Sequence, residues 1–227
     1  MWRGCLLDVL DAHEPGHGVS EQAIRDALRD GFPWHRPDRP HPQLNDPAEW
    51  WSEVEALMAR AYQSAGIAPV RSRQLARQAH LLYIDHRRGW KLYDDAVAVL
   101  RDVRADGWRS VILSNHVPEL ADLVAGLGLG DLVEGVITSA AIGYEKPHPE
   151  AFATARAIAG DADEVWMVGD NPVTDIAGAE AVGIPAIRVH GDPAPGRWSR
   201  DLQGVRPYLV APMSQVAGRC PTPPQRP

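Results

Sequence analysis

Cysteine is nearly absent from this sequence, with Cys5 and Cys220 the only two among 227 residues. Neither falls in a metal-type spacing, so neither a disulfide framework nor a thiolate metal site is available, and a reduced, cytoplasmic protein is expected. Lysine is just as scarce: of 23 Lys and Arg residues, only Lys91 and Lys146 are lysines, which makes a retained lysine conspicuous. An excess of positive charge is also lacking. The net charge of −7 argues against nucleic acid or an anionic membrane as a partner, because both require a positive field. No apolar run reaches the roughly 18 residues of a membrane helix. The first residues lack the long apolar region and small-residue cleavage site of a signal peptide.

With 44% hydrophobic and 23% charged residues, the chain has the composition of a soluble globular protein with one sizeable core. From Gly107 onward, short β-rich runs alternate with helical ones. Strands are expected at 108–114, 133–138, 164–169 and 186–189, and helices at 117–127, 149–158 and 174–181. This alternation predicts an α/β fold, a Rossmann-like parallel sheet with helices on both faces, whose ligand crevice lies beyond the carboxyl ends of the strands. Residues 3–12 contain the apolar run Cys5-Leu6-Leu7 and are read as a first buried strand, with Asp8 near its end. The intervening stretch is helical: 20–28 behind Ser20, 46–65 behind the cap Asp46 with Pro47 at its first position, and 70–86. Residues 1–12 and 91–212 are therefore expected to form the α/β core and 13–90 an inserted all-helical cap. Tyr208-Leu209-Val210 is expected as an edge strand, and the Pro-rich stretch 213–227 as a disordered tail.

The polar signals fall at the expected strand ends. In Gly169-Asp170-Asn171-Pro172-Val173-Thr174-Asp175, two carboxylates five residues apart suit a hard divalent cation or a helix start. Ser114-Asn115 closes the run Val111-Ile112-Leu113 and suits either a phosphate seat or an ordinary N-cap. Lys146, in Glu145-Lys146-Pro147-His148-Pro149, can neutralise a carboxylate and phosphoryl oxygens.

Ser114, then Lys146, then Asp170 and Asp175, in this order and spacing, resemble the second, third and fourth motifs of the haloacid dehalogenase (HAD) superfamily, over about 93–189. The helical insertion resembles the cap of its first subclass. The resemblance implies a magnesium-dependent hydrolase, with a small phosphomonoester attacked by Asp8 to give an aspartyl-phosphate. It places Ser114, Asn115 and Lys146 on the substrate, and Asp8, the Leu10 carbonyl, Asp170 and Asp175 around magnesium. The first motif departs from the pattern, because Leu10 stands where a second aspartate normally serves as general acid/base. Asp11, His13, Glu14, His17 and His35 are candidate replacements, and Trp50 and Trp51 a candidate substrate surface. Two rival readings are a 2-haloacid dehalogenase-like hydrolase, which needs no second aspartate, and a non-catalytic HAD-like binding protein. A monomer or homodimer acting on a small molecule is expected.

Overall fold

The computed structural model describes residues 2–160 and 162–209. The expected tail at 213–227, and Val210 of the expected edge strand, lie outside these residues.

Residues 2–13 form a helix rather than a strand: α1 spans Trp2–His13. Trp2, Cys5, Leu6, Val9 and Leu10 recur at helical spacing, and of these Cys5, Leu6, Val9 and Leu10 are buried while Arg3, Asp8 and Asp11 face solvent. A short apolar run such as Cys5-Leu6-Leu7 fits a buried strand or a buried helix segment equally well. The longer 3.6-residue period decides for the helix. Its partners confirm the placement. Tyr62 Oη donates to the Leu6 carbonyl at 2.9 Å, and the Cys5 thiol donates to the Ala79 carbonyl at 3.2 Å. Residues 2–13 thus pack with the helices that follow and are not the opening of the sheet.

Those helices are α2 (Glu21–Ala27), α3 (Pro47–Ser64) and α4 (Pro69–Tyr83). Both N-caps read from the sequence are made: Ser20 Oγ accepts from Ala23 N, and Asp46 Oδ1 from Ala48 N and Glu49 N. A single apolar cluster containing Leu6, Leu10, Trp50, Met58, Tyr62 and Leu75 binds the four helices together. Trp50 and Trp51 belong to that cluster, buried at 1% and 4% exposure, so they are core rather than substrate surface. The Pro-rich loop between α2 and α3 holds two short 3-10 turns, Pro33–His35 and Pro42–Leu44.

The second half alternates as expected: α5 (Ala96–Ala105), β1 (Val111–Ser114), α6 (Leu120–Gly126), β2 (Gly135–Thr138), α7 (Ser139–Ile142), α8 (Pro149–Ala159), β3 (Met167–Gly169), α9 (Gly178–Ala181) and β4 (Ala186–Val189). A π-helical turn at Pro172–Ala177 precedes α9. Trp198–Ser199 form a short β5, and the segment expected as the last strand is instead helix α10, Arg206–Leu209. All observed pairings are parallel: β1 with β2, β3 with β4, and β4 with β5. They form two separate sheets, of order β1-β2 and β3-β4-β5, with no ladder joining β1 to β3 among the described residues.

Candidate active site

Lys146 links the carboxyl end of β1 to the π-helical turn that follows β3. This residue is 7% exposed, and its Nζ donates to Asp175 Oδ1 at 2.7 Å and to the Leu113 carbonyl at 2.8 Å. A buried ammonium is tolerated only when paired and hydrogen-bonded, and these two acceptors supply that. An ammonium carries three protons. Two are used, so one donor remains among the described residues.

Asn115 sets where Lys146 sits. Its Oδ1 accepts from Lys146 N at 2.7 Å, and its Nδ2 donates to the Lys146 carbonyl at 2.9 Å. This paired amide contact ties the residue after β1 to a loop 31 positions away. Ser114, the last residue of β1, is half-buried at the same end. The expected seat at a helix start beside it does not form: α6 begins only at Leu120, and His116 N donates to Ser139 Oγ.

Asp175, 5% exposed, lies in the π-helical turn. Its second oxygen, Oδ2, accepts from Asn171 N at 3.0 Å, and Asn171 Oδ1 in turn caps Val173 N and Thr174 N. Asp175 packs directly over Gly169. A Cβ at Gly169 would lie 2.5 Å from Asp175 Oδ2, so glycine is required where the carboxylate folds back on the strand end. Asp170 is exposed beside it.

A contact that the local sequence pattern does not signal braces this loop. Glu145 is buried, and its Oε1 lies 3.1 Å from His41 Nε2, while His41 N donates to the Gly143 carbonyl. His41 comes from the Pro-rich loop, 104 positions earlier. Gly143 is suited to the approach, with φ +75° and a virtual Cβ 2.7 Å from Pro42 Cα. Only the Pro40-His41-Pro42 bracketing, which stiffens that loop, hints at such a role in the sequence. His116, next to Asn115, is also packed inward near Tyr83 Oη, and burial pushes its imidazole down to about 4.

Asp8 and Leu10 do not join this cluster. Asp8 is exposed on α1. Leu10 is fully buried among the helices, and its carbonyl already accepts from Glu14 N at 2.7 Å, closing the end of α1. A strand-end carboxylate and a free backbone carbonyl were the premises of their expected roles, and the helix removes both. Of the candidate acids, Asp11 contacts His17, Glu14 is held by Arg71, and His13 and His35 are exposed, so none is hydrogen-bonded to Lys146 or Asp175.

A family model for haloacid dehalogenase-like hydrolases matches residues 11–183. The chain belongs to that family. The matched stretch begins after Asp8 and Leu10 and contains Ser114, Asn115, Lys146, Asp170 and Asp175. Among curated relatives, a phosphoserine phosphatase of Thermus thermophilus is 36% identical over 151 residues, 65% of this chain and 59% of the relative. A phosphoglycolate phosphatase of Rhodospirillum rubrum is 33% identical over 141 residues, 58% of each chain. This HAD-family chain therefore spans less than two thirds of these relatives' length in the match. The solved structure of L-2-haloacid dehalogenase from Xanthobacter autotrophicus with chloropropionic acid covalently bound superposes with a TM-score of 0.65 at 25% identity, covering 94% of both chains. This likeness supports the HAD fold that the α/β reading anticipated. No helix among the described residues is long and apolar enough to cross a membrane.

Proposed function

We propose that Ser114, Asn115, Lys146, Asp170 and Asp175 form the phosphate-handling part of a HAD-type hydrolase site for a small phosphomonoester. The observation that carries this reading is the buried Lys146 ammonium, fixed by Asp175 and Leu113 O with one proton left to donate. Preorganised charge of this kind stabilises phosphoryl oxygens at little reorganisation cost. Asn115 positions the lysine through its backbone, and Ser114, at the end of the same strand, would be the second donor. The phosphatase names of the two relatives favour phosphate over a haloacid.

Asp170 is the carboxylate of this cluster that would hold magnesium. Magnesium is usually held by one or two carboxylates together with waters and phosphate oxygens. Both oxygens of Asp175 are engaged, on Lys146 and on Asn171 N, which leaves Asp170 as the uncommitted carboxylate of the expected pair at this end of β3. No group of three or more candidate ligands converges among the described residues. Asp170 would supply the carboxylate, with waters and phosphate oxygens completing the shell, and no step is assigned to the metal. Asp175 is the one carboxylate hydrogen-bonded to Lys146 among the described residues, and the part this cluster plays in hydrolysis is to bind phosphate and stabilise its charge.

The reading is tested by thermal denaturation with ligands of the rival chemistries. Inorganic phosphate and tungstate are expected to raise the midpoint, and 2-chloropropionate at equal concentration to leave it unchanged. Stabilisation by the haloacid alone would overturn the phosphate reading.

A further inference from the structure

One buried, ionisable pair takes no part in the phosphate site. His41 and Glu145 are 6% and 1% exposed, and their contact, Nε2 to Oε1 at 3.1 Å, is the hydrogen bond that each side chain makes among the described residues. Their far atoms, His41 Nδ1 and Glu145 Oε2, are buried without a partner among those residues. Leaving such atoms unsatisfied is costly, and two apolar side chains of similar volume would join the same loops without that cost. Stability therefore does not account for the pair.

The pair belongs to a pattern. Among the described residues, every hydrogen bond between residues 2–90 and residues 91–209 ends in one of two segments, 116–119 or 143–145. Trp51 Nε1 donates to both carboxylate oxygens of Glu119, at 2.9 and 3.0 Å, and Tyr83 Oη lies 3.3 Å from His116 Nε2. His41 N donates to the Gly143 carbonyl at 2.8 Å. The first segment directly follows Asn115, and the second directly precedes Lys146. Those two residues form the amide clamp that sets the lysine. The helical unit thus grips the clamp from both sides. On the lysine side, the side-chain grip is that of His41 on Glu145.

A hydrogen bond fixes distance and angle together, which an apolar contact does not. Placement to within about 0.5 Å governs what a charged group contributes to a ligand. We propose that His41 and Glu145 are positioning residues of the anion site: their bond holds residues 143–146 against the helical unit so that the spare Lys146 donor meets phosphate. Neither side chain has to touch the ligand. The inference rests on the reading of Lys146 given above.

The test is calorimetric titration of inorganic phosphate into the full chain at constant pH and salt. His41→Ala should weaken binding about tenfold. His41→Gln, whose amide nitrogen can take the place of Nε2, should restore affinity to within about twofold of the parent. The double variant His41→Leu, Glu145→Met separates placement from stability. It should unfold no more easily than the parent in denaturant titration, since it removes two unsatisfied atoms, yet bind phosphate about tenfold more weakly. In a Lys146→Met background, His41→Ala should have no further effect, because the pair acts through the lysine. Parent-like affinity in the double variant overturns the proposal, as does an equal loss from His41→Ala with and without Lys146. If the double variant fails to fold, His41→Ala against His41→Gln decides, and equal affinities of the two overturn it. If the His41 variants bind as the parent does while Lys146→Met loses affinity, the pair alone is refuted and Lys146 keeps its role. If Lys146→Met binds as the parent does, or the parent binds no phosphate, the reading of Lys146 falls and the inference falls with it.

Discussion

Lys146 shows how much of a site one residue can hold. Its ammonium joins the end of β1 to the turn that follows β3, and its own backbone is clamped by the Asn115 amide. Asn115→Ala leaves the Lys146 N–H and C=O without their partner, which should cost about 1–3 kcal/mol of stability in denaturant titration. It should also weaken phosphate binding although Asn115 is not required to touch the ligand. His116 makes a pH prediction. Its folded-state value, about 4, lies below the unfolded value near 6.5, so the unfolded chain binds the extra proton between these pH values. The neutral imidazole's contribution is intact above about pH 6.5 and is lost progressively as pH falls to about 4. Unfolding free energies at pH 7 and pH 4.5 should differ less in His116→Gln than in the parent, by up to about 3 kcal/mol. An unchanged difference would remove His116 as the cause.

At the scale of elements, the strongly patterned segments were legible. β4 falls on the residues expected, α3 starts behind Asp46, and β1, β2 and β3 lie within their predicted runs, because apolar runs punctuated by glycine and polar caps are local signals. The first element was not. Cys5-Leu6-Leu7 fits either structure, and only the packing of Leu6 and Leu10 against the other helices settles it. The α10 segment likewise owes its placement to distant partners, with Arg206 bridging Asp102 and Asp106. The His41–Glu145 contact joins loops 104 positions apart and leaves no periodic trace. If α1 is a core helix, Leu10→Ala should cost about 2–5 kcal/mol in denaturant titration. Asp8→Asn, on the exposed face, should stay within about 0.5 kcal/mol. The opposite order would favour a buried role for Asp8.

The whole molecule joins a well-knit helical unit to an α/β unit whose described strands form two separate sheets. Local stability should follow that division. In hydrogen exchange by mass spectrometry, amides of β1 and β3 are expected to exchange before those of α3, although strands in such positions normally exchange last. Slow exchange in both strands would contradict that division. The residues of the proposed site, Ser114, Asn115, Lys146, Asp170 and Asp175, stand out in the sequence by order and type. What the sequence could not show was that the carboxylate placed before them, Asp8, stands on a helix outside the cluster.

The central claim is that anion recognition belongs to the Lys146 cluster and not to Asp8. Calorimetric titration of inorganic phosphate into the parent, Asp8→Asn and Lys146→Met tests it most directly. Unchanged affinity in Asp8→Asn and a loss of about tenfold or more in Lys146→Met are predicted. Lost affinity in Asp8→Asn, with Lys146→Met binding as the parent does, would contradict it.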